Sequence, residues 1–247
     1  MKFSAIIITF NEERNIERCL LSLQHVTDDI VVVDSYSTDA TPEICKRFAV
    51  RFYQHEFTGY SHQKNYANNL AKYDIIFSID ADEAVSDTLA KSLKNAVEPE
   101  PGESYFISRR TNYCNRFIRF CGWYPDKKER IWNRHFAHWQ GLIHEKPVFQ
   151  HPVKHLSIEG DLLHYSYYTI DEHIKQSLTF STMKANELAQ QGKSSGLAAI
   201  ILAPCFKFLS VYVIKLGFLD GYRGYFIAKI SAYATFVKHL LLWKKRE

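Results

Sequence analysis

Short apolar runs alternate with helix-forming segments over the first hundred residues, and this alternation is the strongest constraint on the fold. The runs are residues 3–10, 30–34, 50–53 and 75–79. Each is rich in β-branched or aromatic residues and has the length of a buried strand. The segments between them, residues 11–23, 41–48, 60–71 and 86–97, show helical spacing or capping residues, with Asn11, Thr41 and Ser86 as candidate N-caps. Strands that alternate with helices form βαβ units, so the sequence predicts an α/β domain with a parallel sheet.

Polar residues follow three of these predicted strands. They are Thr9, Asn11 and Glu12 after the first strand, Asp34 and Asp39 after the second, and Asp80, Asp82 and Glu83 after the fourth. Because ligands of parallel sheets bind beyond the carboxyl ends of the strands, we expect these groups to face one cleft. Hydroxyls and carboxylates at two strand ends suit a ribose and a pyrimidine ring. Taken singly, Asp34 or Asp39 is more typical of a helix cap, but their joint placement favours a nucleotide site.

The acidic cluster at residues 80–83 favours a metal. Its carboxylates repel one another and require a compensating cation. Residues two apart in an extended segment project to the same side, so Asp80 and Asp82 can serve one site. Oxygen ligands of this kind suit Mg²⁺ or Mn²⁺ bridging to a diphosphate. The alternative is a solvated acidic turn that caps the next helix; the preceding buried strand and the polar strand ends upstream favour the metal.

Composition and missing motifs exclude several other classes of protein. The net charge is only +4 and no arginine-rich stripe with interleaved aromatics occurs, so we predict no nucleic-acid partner. The first strand is followed by neither a Walker lysine loop nor G-x-G-x-x-G, which weakens ATPase and dinucleotide-oxidoreductase interpretations. Five cysteines without a C-x-x-C pair favour a reduced, cytosolic setting. The N-terminal apolar run is short and ends in polar residues, as expected for a strand and not for a signal peptide.

Four N-terminal motifs, taken together, resemble those of family 2 inverting glycosyltransferases with the GT-A fold. They are IITFNEE, VVVDSYSTDAT, GYSHQKN and FSIDADE. Later motifs resemble the branch that includes lipopolysaccharide core-biosynthesis glycosyltransferases: GWYPDKKERIW, LIHEKPV, LLHYSY and GFLDGYRGY. The resemblance covers nearly the whole chain. It implies a Rossmann-like, mostly parallel central sheet flanked by helices, with a C-terminal helical extension.

The resemblance also implies roles for individual residues. Those that would bind the nucleotide sugar are Thr9, Asn11, Glu12, Asp34, Asp39 and Lys64. Asp80 would lie near the ribose and the metal, and Asp82 would be the direct ligand of Mg²⁺ or Mn²⁺. Lys64 stands where the family usually has arginine, so it keeps the charge but not the bidentate fork.

The second half of the chain carries the candidate base. Inverting transfer needs one base to take the proton of the acceptor hydroxyl while the diphosphate leaves from the opposite face. We predict Glu145 for this role, by its position after the metal motif and by its resemblance to family members with His-Glu there. Alternatively, Glu145 orients His144 or pairs with Lys146. Arg130, on a short strand, is a candidate for contact with a donor phosphate, with a surface ion pair as the alternative.

His164 follows an apolar pair, which alone is more typical of a core residue. The resemblance implies a further ligand of the metal or of a phosphate. The predicted domains are residues 1–168, divided at residue 100 into a nucleotide-sugar half and an acceptor half, and a helical extension of residues 169–247.

The extension is predicted as a helix at residues 169–191, a break at 192–196, and two apolar, aromatic helices. Pro204, Lys207 and Lys215 interrupt the first of these, so it is not a clean spanning helix. The second ends in the basic residues 244–246. This combination fits interfacial attachment to the anionic inner leaflet. Alternatively, the helices pack on the catalytic domain or on a second copy, as a homodimer.

The sequence therefore predicts a metal-dependent inverting glycosyltransferase at the cytoplasmic face of the membrane. It would move a sugar from a nucleotide-diphosphate sugar, with uridine implied by the resemblance alone, to a glycolipid such as lipopolysaccharide core. A nucleotidylyltransferase is one alternative, although it would need a glycine-rich basic loop where this chain has Asn11, Glu12 and Glu13. The other alternative is a non-catalytic nucleotide-sugar-binding protein.

Overall fold

The structure is a computed structural model that describes residues 1–141 and 145–245. The chain forms two compact units. The first comprises Met1–Arg109 and Asp126–Tyr165, and the second comprises Arg110–Pro125 and Ser166–Glu247. The segment between residues 110 and 125 therefore groups with the C-terminal helices, although the sequence places it in the acceptor half.

Strands and helices alternate from β1 to β4, as predicted, and a short additional strand, β5, precedes α4. The strands are β1 (Ser4–Thr9), β2 (Asp29–Asp34), β3 (Arg51–Gln54), β4 (Ile75–Ser78), β5 (Glu83–Val85), β6 (Glu103–Tyr113), β7 (Arg116–Phe117), β8 (Asp126–Asn133), β9 (Ala137–Gln140), β10 (Lys146–Phe149) and β11 (Lys154–Tyr167). The helices are α1 (Ile16–Leu23), α2 (Thr41–Lys46), α3 (Tyr60–Asn69), α4 (Asp87–Asn95), α5 (Ile170–Gln190), α6 (Leu197–Leu209) and α7 (Tyr222–Lys244).

The central sheet of the first unit is mixed. Its strand order is β3-β2-β1-β4-β8-β6-β11-β5. The neighbours among β1 to β4 are parallel, as predicted. Beyond them the sheet is antiparallel at the pairs β4–β8, β8–β6 and β11–β5, so it is not mostly parallel. The reason is that the described part of residues 103–167 is strands and loops, without the helical crossovers that parallel pairing requires.

Local chemistry explains where the helices of the first unit begin. Helix α1 buries Ile16, Cys19, Leu20 and Leu23 at helical spacing. Its N-cap is Asn15, and not Asn11 as predicted. Asn11 instead adopts a φ of 54°, which asparagine tolerates better than most residues, and its side-chain oxygen accepts a hydrogen bond from the Thr38 N–H at 2.9 Å. Ser86 caps α4 as predicted, by accepting a hydrogen bond from the Leu89 N–H at 3.3 Å.

The second unit has its own core, which joins residues 110–125 to the helices. The buried residues of this core are Tyr113, Ile118, Cys121, Val211, Ile227 and Ala228. The Asp220 carboxylate is buried and accepts hydrogen bonds from the N–H groups of Arg119 (3.2 Å) and Phe120 (2.8 Å). A Cβ on Gly224 would lie 1.8 Å from the carbonyl oxygen of Gly217, so this close approach requires glycine. Helix α5 begins with a capping box between Thr169 and Glu172.

Helix α6 carries an apolar surface that the second unit leaves largely uncovered. It continues through Pro204 into a π-helical turn, Ser210–Ile214, so the predicted interruption at this proline does not occur. Within residues 1–141 and 145–245, the run Leu197–Ile214 is the one helical stretch long and apolar enough to cross a membrane. It has 18 residues with a mean hydropathy of 2.2, and 11% of it is buried. Of the predicted basic C-terminus, Arg246 lies outside the described residues.

Candidate active site

The carboxyl ends of three adjacent strands converge on one cavity in the first unit. The register pairs Thr9 of β1 with Asp34 of β2, and Ile6 of β1 with Ser78 of β4, so the loops that follow leave the sheet at the same edge. The cavity has a volume of about 600 Å³. The predicted site residues that line it are Thr9, Glu12, Lys64, Asp80, Asp82, Glu145 and His164. The expectation of one cleft at this edge therefore agrees with the geometry for these residues.

Three predicted nucleotide ligands, Asn11, Asp34 and Asp39, are not among the lining residues. The Asp34 carboxylate is fully buried and accepts a hydrogen bond from the Ser37 N–H at 2.9 Å. The Asp39 carboxylate accepts one from the Thr41 N–H at 3.0 Å. These are the local capping contacts that each aspartate, taken singly, favours. Both contacts lie in the loop that follows β2.

Asp80 lies between two cations. Lys64 Nζ is 3.1 Å from Asp80 Oδ1, and Arg130 Nη2 is 2.8 Å from Asp80 Oδ2. Burial of the Asp80 carboxyl opposes ionisation, but the charges of Arg130 and Lys64 outweigh it and hold the pKa of Asp80 well below its usual range. Arg130 also pairs with Glu83 at 2.6 Å, and both side chains are buried. Arg130 thus forms a buried ion pair beside the cavity and does not line it.

Asp82 and His164 meet where β11 pairs with β5. His164 Nε2 lies 3.1 Å from Asp82 Oδ2, and the Tyr165 N–H donates to the Asp82 carbonyl oxygen at 2.9 Å. Among the residues that the structure describes, no group of three or more histidine, cysteine, aspartate or glutamate side chains could by itself hold a metal. Asp82 offers the carboxylate oxygens that suit Mg²⁺ or Mn²⁺, and His164 would add one nitrogen ligand; either ion would need its remaining ligands from outside the protein, such as a diphosphate and water.

Glu145 shares a cation with Asp80. Lys64 Nζ is 3.0 Å from Glu145 Oε1, and the Lys64 side chain is only 7% exposed. The lysine also lies over the Trp139 ring, 4.4 Å from its centroid. The partner of Glu145 is therefore Lys64 and not Lys146; the other predicted alternative, His144, lies outside the described residues. The predicted base and the predicted ribose carboxylate are thus linked through one buried ammonium.

Glu12 is held in an unfavourable setting for a charge. Burial raises the pKa of its carboxyl, a hydrogen bond from Asn15 at 2.8 Å opposes this, and the nearby charges of Asp82 and Asp39 raise it further. This wall of the cavity therefore repels anions unless a cation is present.

The sequence model of glycosyl transferase family 2 matches residues 4–150. This span exceeds half of the 247 residues and contains every residue that lines the cavity except His164. The chain belongs to glycosyl transferase family 2.

Relatives agree with this assignment. The glycosyltransferase is 27% identical to the lipopolysaccharide core biosynthesis glycosyltransferase LpsC of Rhizobium meliloti, over 98% of this chain and 94% of LpsC. It is 28% identical to the uncharacterized glycosyltransferase RT0209 of Rickettsia typhi, over 96% of this chain and 85% of the relative. The predicted family is therefore confirmed, and the nucleotidylyltransferase alternative is wrong.

A solved structure supports the fold. The mannosyltransferase PcManGT of Pyrobaculum calidifontis, in complex with GDP-Man and Mn²⁺, superposes with a TM-score of 0.51. It is 16% identical, and the match covers 96% of this chain and 87% of PcManGT. The α/β GT-A fold with a central sheet flanked by helices is confirmed.

Sequence reasoning missed the aromatic wall of this glycosyltransferase. Phe10, Phe57 and Tyr60 line the cavity, and the rings of Phe57 and Tyr60 form an edge-to-face pair with centroids 5.1 Å apart. Phe57 is 46% exposed although it is apolar. Its position in an otherwise polar loop before Gly59 was the available signal. Flat rings at a cavity mouth suit the face of a base or a sugar.

Proposed function

We propose that this glycosyltransferase transfers a sugar from a nucleotide-diphosphate sugar to a glycolipid acceptor, with inversion at the anomeric carbon and with Mg²⁺ or Mn²⁺. The observation that carries the proposal is the single cavity that brings Asp80, Asp82 and His164 together with Glu145. The GDP-Man and Mn²⁺ bound to PcManGT support the type of donor and the metal. The name of LpsC supports a lipopolysaccharide core or a related surface glycan as acceptor. A UDP-linked donor is the first candidate, from the resemblance of the N-terminal motifs.

The donor would occupy the cavity along the ends of β1 and β4. Thr9 and Glu12 offer hydrogen-bonding groups for the nucleoside, and Tyr60 offers a ring face. Asp82 and His164 would hold the ion. A divalent ion in this position would offset the negative charge that builds on the departing diphosphate.

Glu145 would act as the general base. The acceptor oxygen forms a bond to the anomeric carbon while the bond from that carbon to the diphosphate oxygen breaks, and the hydroxyl proton passes to the Glu145 carboxylate. One displacement from the opposite face inverts the configuration and needs no covalent enzyme intermediate. Lys64, at 3.0 Å, positions the carboxylate in the cavity wall.

A lipid-linked acceptor fits the surface of the second unit. Helix α6 and the turns after it expose large apolar side chains: Leu197, Ile201, Leu202, Phe206, Leu209, Val213 and Ile214. We call these residues the apolar face. Burial lowers the pKa of Lys207, and the charges of Lys215 and Lys238 lower it further. Lys207 lies within this apolar helix and Lys215 follows the turn at its end. An apolar helix with such basic residues favours binding in the interface of an anionic leaflet, so we infer that the enzyme acts at the cytoplasmic face of the membrane.

Nucleotide sugars can be screened by thermal shift, with and without Mn²⁺. A ligand at 100 times its dissociation constant stabilises the protein by about 2.7 kcal/mol. Hits are then incubated with glycolipid acceptors, and the anomeric configuration of the product is read by NMR. The Asp82→Asn variant should lose the Mn²⁺-dependent gain, whereas Asp87→Asn, an exposed aspartate on α4, should keep it. If no nucleotide sugar is bound or turned over, the proposed function is wrong.

A further inference from the structure

A second cavity of about 500 Å³ lies beside the donor cavity in the first unit. Lys64, Asp80 and Glu145 line both cavities. Glu145, the proposed base, is therefore accessible from the second cavity while the donor occupies the first. This makes the second cavity the place from which an acceptor hydroxyl can reach the base.

The charges that line the second cavity are predominantly positive. Its cations are Lys64, Arg109, Lys127, Lys128, Arg130 and Lys146, against the carboxylates of Asp80, Glu129 and Glu145. The two arginines are already neutralised. Arg130 pairs with Glu83 at 2.6 Å and Arg109 pairs with Asp126 at 2.7 Å. Neither guanidinium therefore offers a full charge to a ligand.

Lys127, Lys128 and Lys146, which line the same cavity, differ from the arginines. Lys127 and Lys146 are exposed, and within residues 1–141 and 145–245 neither amine has a carboxylate partner. Lys128 Nζ is 3.1 Å from Asp126, a carboxylate that it shares with Arg109. Three amines face the shared carboxylate of Asp126 and the carboxylate of Glu129, so the net charge of this part of the lining stays positive.

We propose that the acceptor carries a phosphate or carboxylate group near the accepting hydroxyl, and that Lys127, Lys128 and Lys146 bind this anion. The inference rests on the proposed function and names its acceptor class. Amines without partners gain charge-assisted hydrogen bonds only when an anion arrives, so a neutral glycan would leave them solvated. Phe106 and Pro147 line the same cavity and offer apolar surface to a sugar ring.

The test compares two double variants of the full-length enzyme. Lys127→Ser/Lys146→Ser removes the two unpaired amines. Lys91→Ser/Lys94→Ser removes the same charge from exposed positions of α4, outside both cavities. The KM for a glycolipid acceptor should rise on the order of ten- to a hundredfold in the first variant and stay unchanged in the second, because hydrogen bonds to charged groups contribute this much. The KM for the donor and kcat should stay within about twofold in both variants.

Small probes identify the anion. Glucose 6-phosphate and glucuronate are tested as competitors of the glycolipid acceptor, with glucose as the neutral control. We expect glucose 6-phosphate, glucuronate or both to compete with the glycolipid acceptor in the wild type, depending on the anionic group that the natural acceptor carries. Neither probe should compete in Lys127→Ser/Lys146→Ser. The inference is wrong if glucose competes equally well, or if the acceptor KM is unchanged in this variant. Hydrolysis of the donor by water needs no acceptor and is measured in parallel. If hydrolysis persists while the acceptor tests fail, the inference about the acceptor is wrong and the proposed function stands.

Discussion

Lys64 Nζ lies 3.0 Å from Glu145 Oε1, and this contact joins α3 to the residue before β10. Both side chains are largely buried, at 7% and 18% exposure. The ammonium is therefore poorly screened by water and fixes the carboxylate at the boundary of the two cavities. A carboxylate held in this way is suited to accept a proton from a hydroxyl on one side while a donor lies on the other.

Glu145→Gln should separate chemistry from binding. Loss of a general base costs about 10²–10⁴ in rate. Because the base contacts the acceptor hydroxyl and not the diphosphate, the donor dissociation constant should change little. Single-turnover kinetics and donor titration measure the two effects separately. Glu159→Gln, on an exposed position of β11, is the matched control and should retain the wild-type rate. A defect confined to donor binding would assign Glu145 to the donor site and the base to another residue.

Glu83→Gln should destabilise the fold. Glu83 pairs with Arg130 at 2.6 Å and both side chains are buried, at 0% and 4% exposure. Removing one partner of a buried ion pair costs about 3–5 kcal/mol of the free energy of unfolding. Because Arg130 still pairs with Asp80 in the variant, we expect a loss at the lower end, about 3 kcal/mol. For a chain of this size the melting temperature should fall by about 6–12 °C. Denaturant unfolding measures the loss, with the exposed Glu98→Gln as control. A loss below about 1 kcal/mol would show that the neutral amide compensates Arg130 as well as the carboxylate does.

The parallel half of the fold was predictable because its signals are local. Apolar runs of strand length alternate with helical spacing, and each pattern lies within about fifteen residues. The convergence of Asp80, Asp82 and Glu12 follows from the parallel order, since strand ends of this kind share one edge. Asp34 and Asp39 are not among the residues that line the cavity, and their carboxylates accept hydrogen bonds from the nearby N–H groups of Ser37 and Thr41.

The remaining features depend on contacts between distant residues. Arg130 and Glu83 are 47 positions apart, and neither position signals a buried pair by itself. The grouping of residues 110–125 with the helices depends on Asp220, whose carboxylate accepts from N–H groups about 100 positions away. A single sequence contains no periodicity that reports such pairs, so the divided arrangement of the second unit was not predictable.

Glu12→Gln should stabilise the protein at neutral pH. The pKa of Glu12 is raised above 4.5 in the folded state, so the folded protein binds this proton more tightly than the unfolded chain. The free energy of unfolding therefore falls as the pH rises from 4.5 through the higher folded-state value, and stays lower above it. Glutamine resembles the protonated form and avoids this loss. The melting temperature of the variant should exceed that of the wild type at pH 7, by about 2–4 °C per kcal/mol regained.

This gain should disappear near pH 4, where Glu12 of the wild type is protonated. Asp80 contributes with the opposite sign: its pKa is lowered, so its contribution is present above 3.8 and is lost as the pH falls below it. It is common to both proteins and cancels in the comparison. Scanning calorimetry of both proteins between pH 4 and pH 8 measures the difference. A variant that is less stable than the wild type at pH 7 would contradict the assignment of Glu12 as a destabilising charge.

The apolar face should bind vesicles that contain anionic lipid. Ile201 and Phe206 are 65% and 67% exposed, so Ile201→Gln/Phe206→Gln removes apolar surface without touching the core of the second unit. Truncation after Gly196 is a poorer test, because it would remove Val211 and Ile227 from that core. The full chain should sediment with the vesicles and be partly released by salt, since each basic residue near an anionic leaflet contributes about 1 kcal/mol.

The double variant should remain in the supernatant, and Leu21→Gln, at 55% exposure in the first unit, should sediment like the wild type. Donor binding should be equal in all three proteins, because the donor cavity lies within the first unit. If the full chain stays free of vesicles at low salt, the membrane proposal is wrong. Analytical ultracentrifugation then decides whether a second copy covers the apolar face. In that case the wild type should sediment as a dimer and the double variant as a monomer.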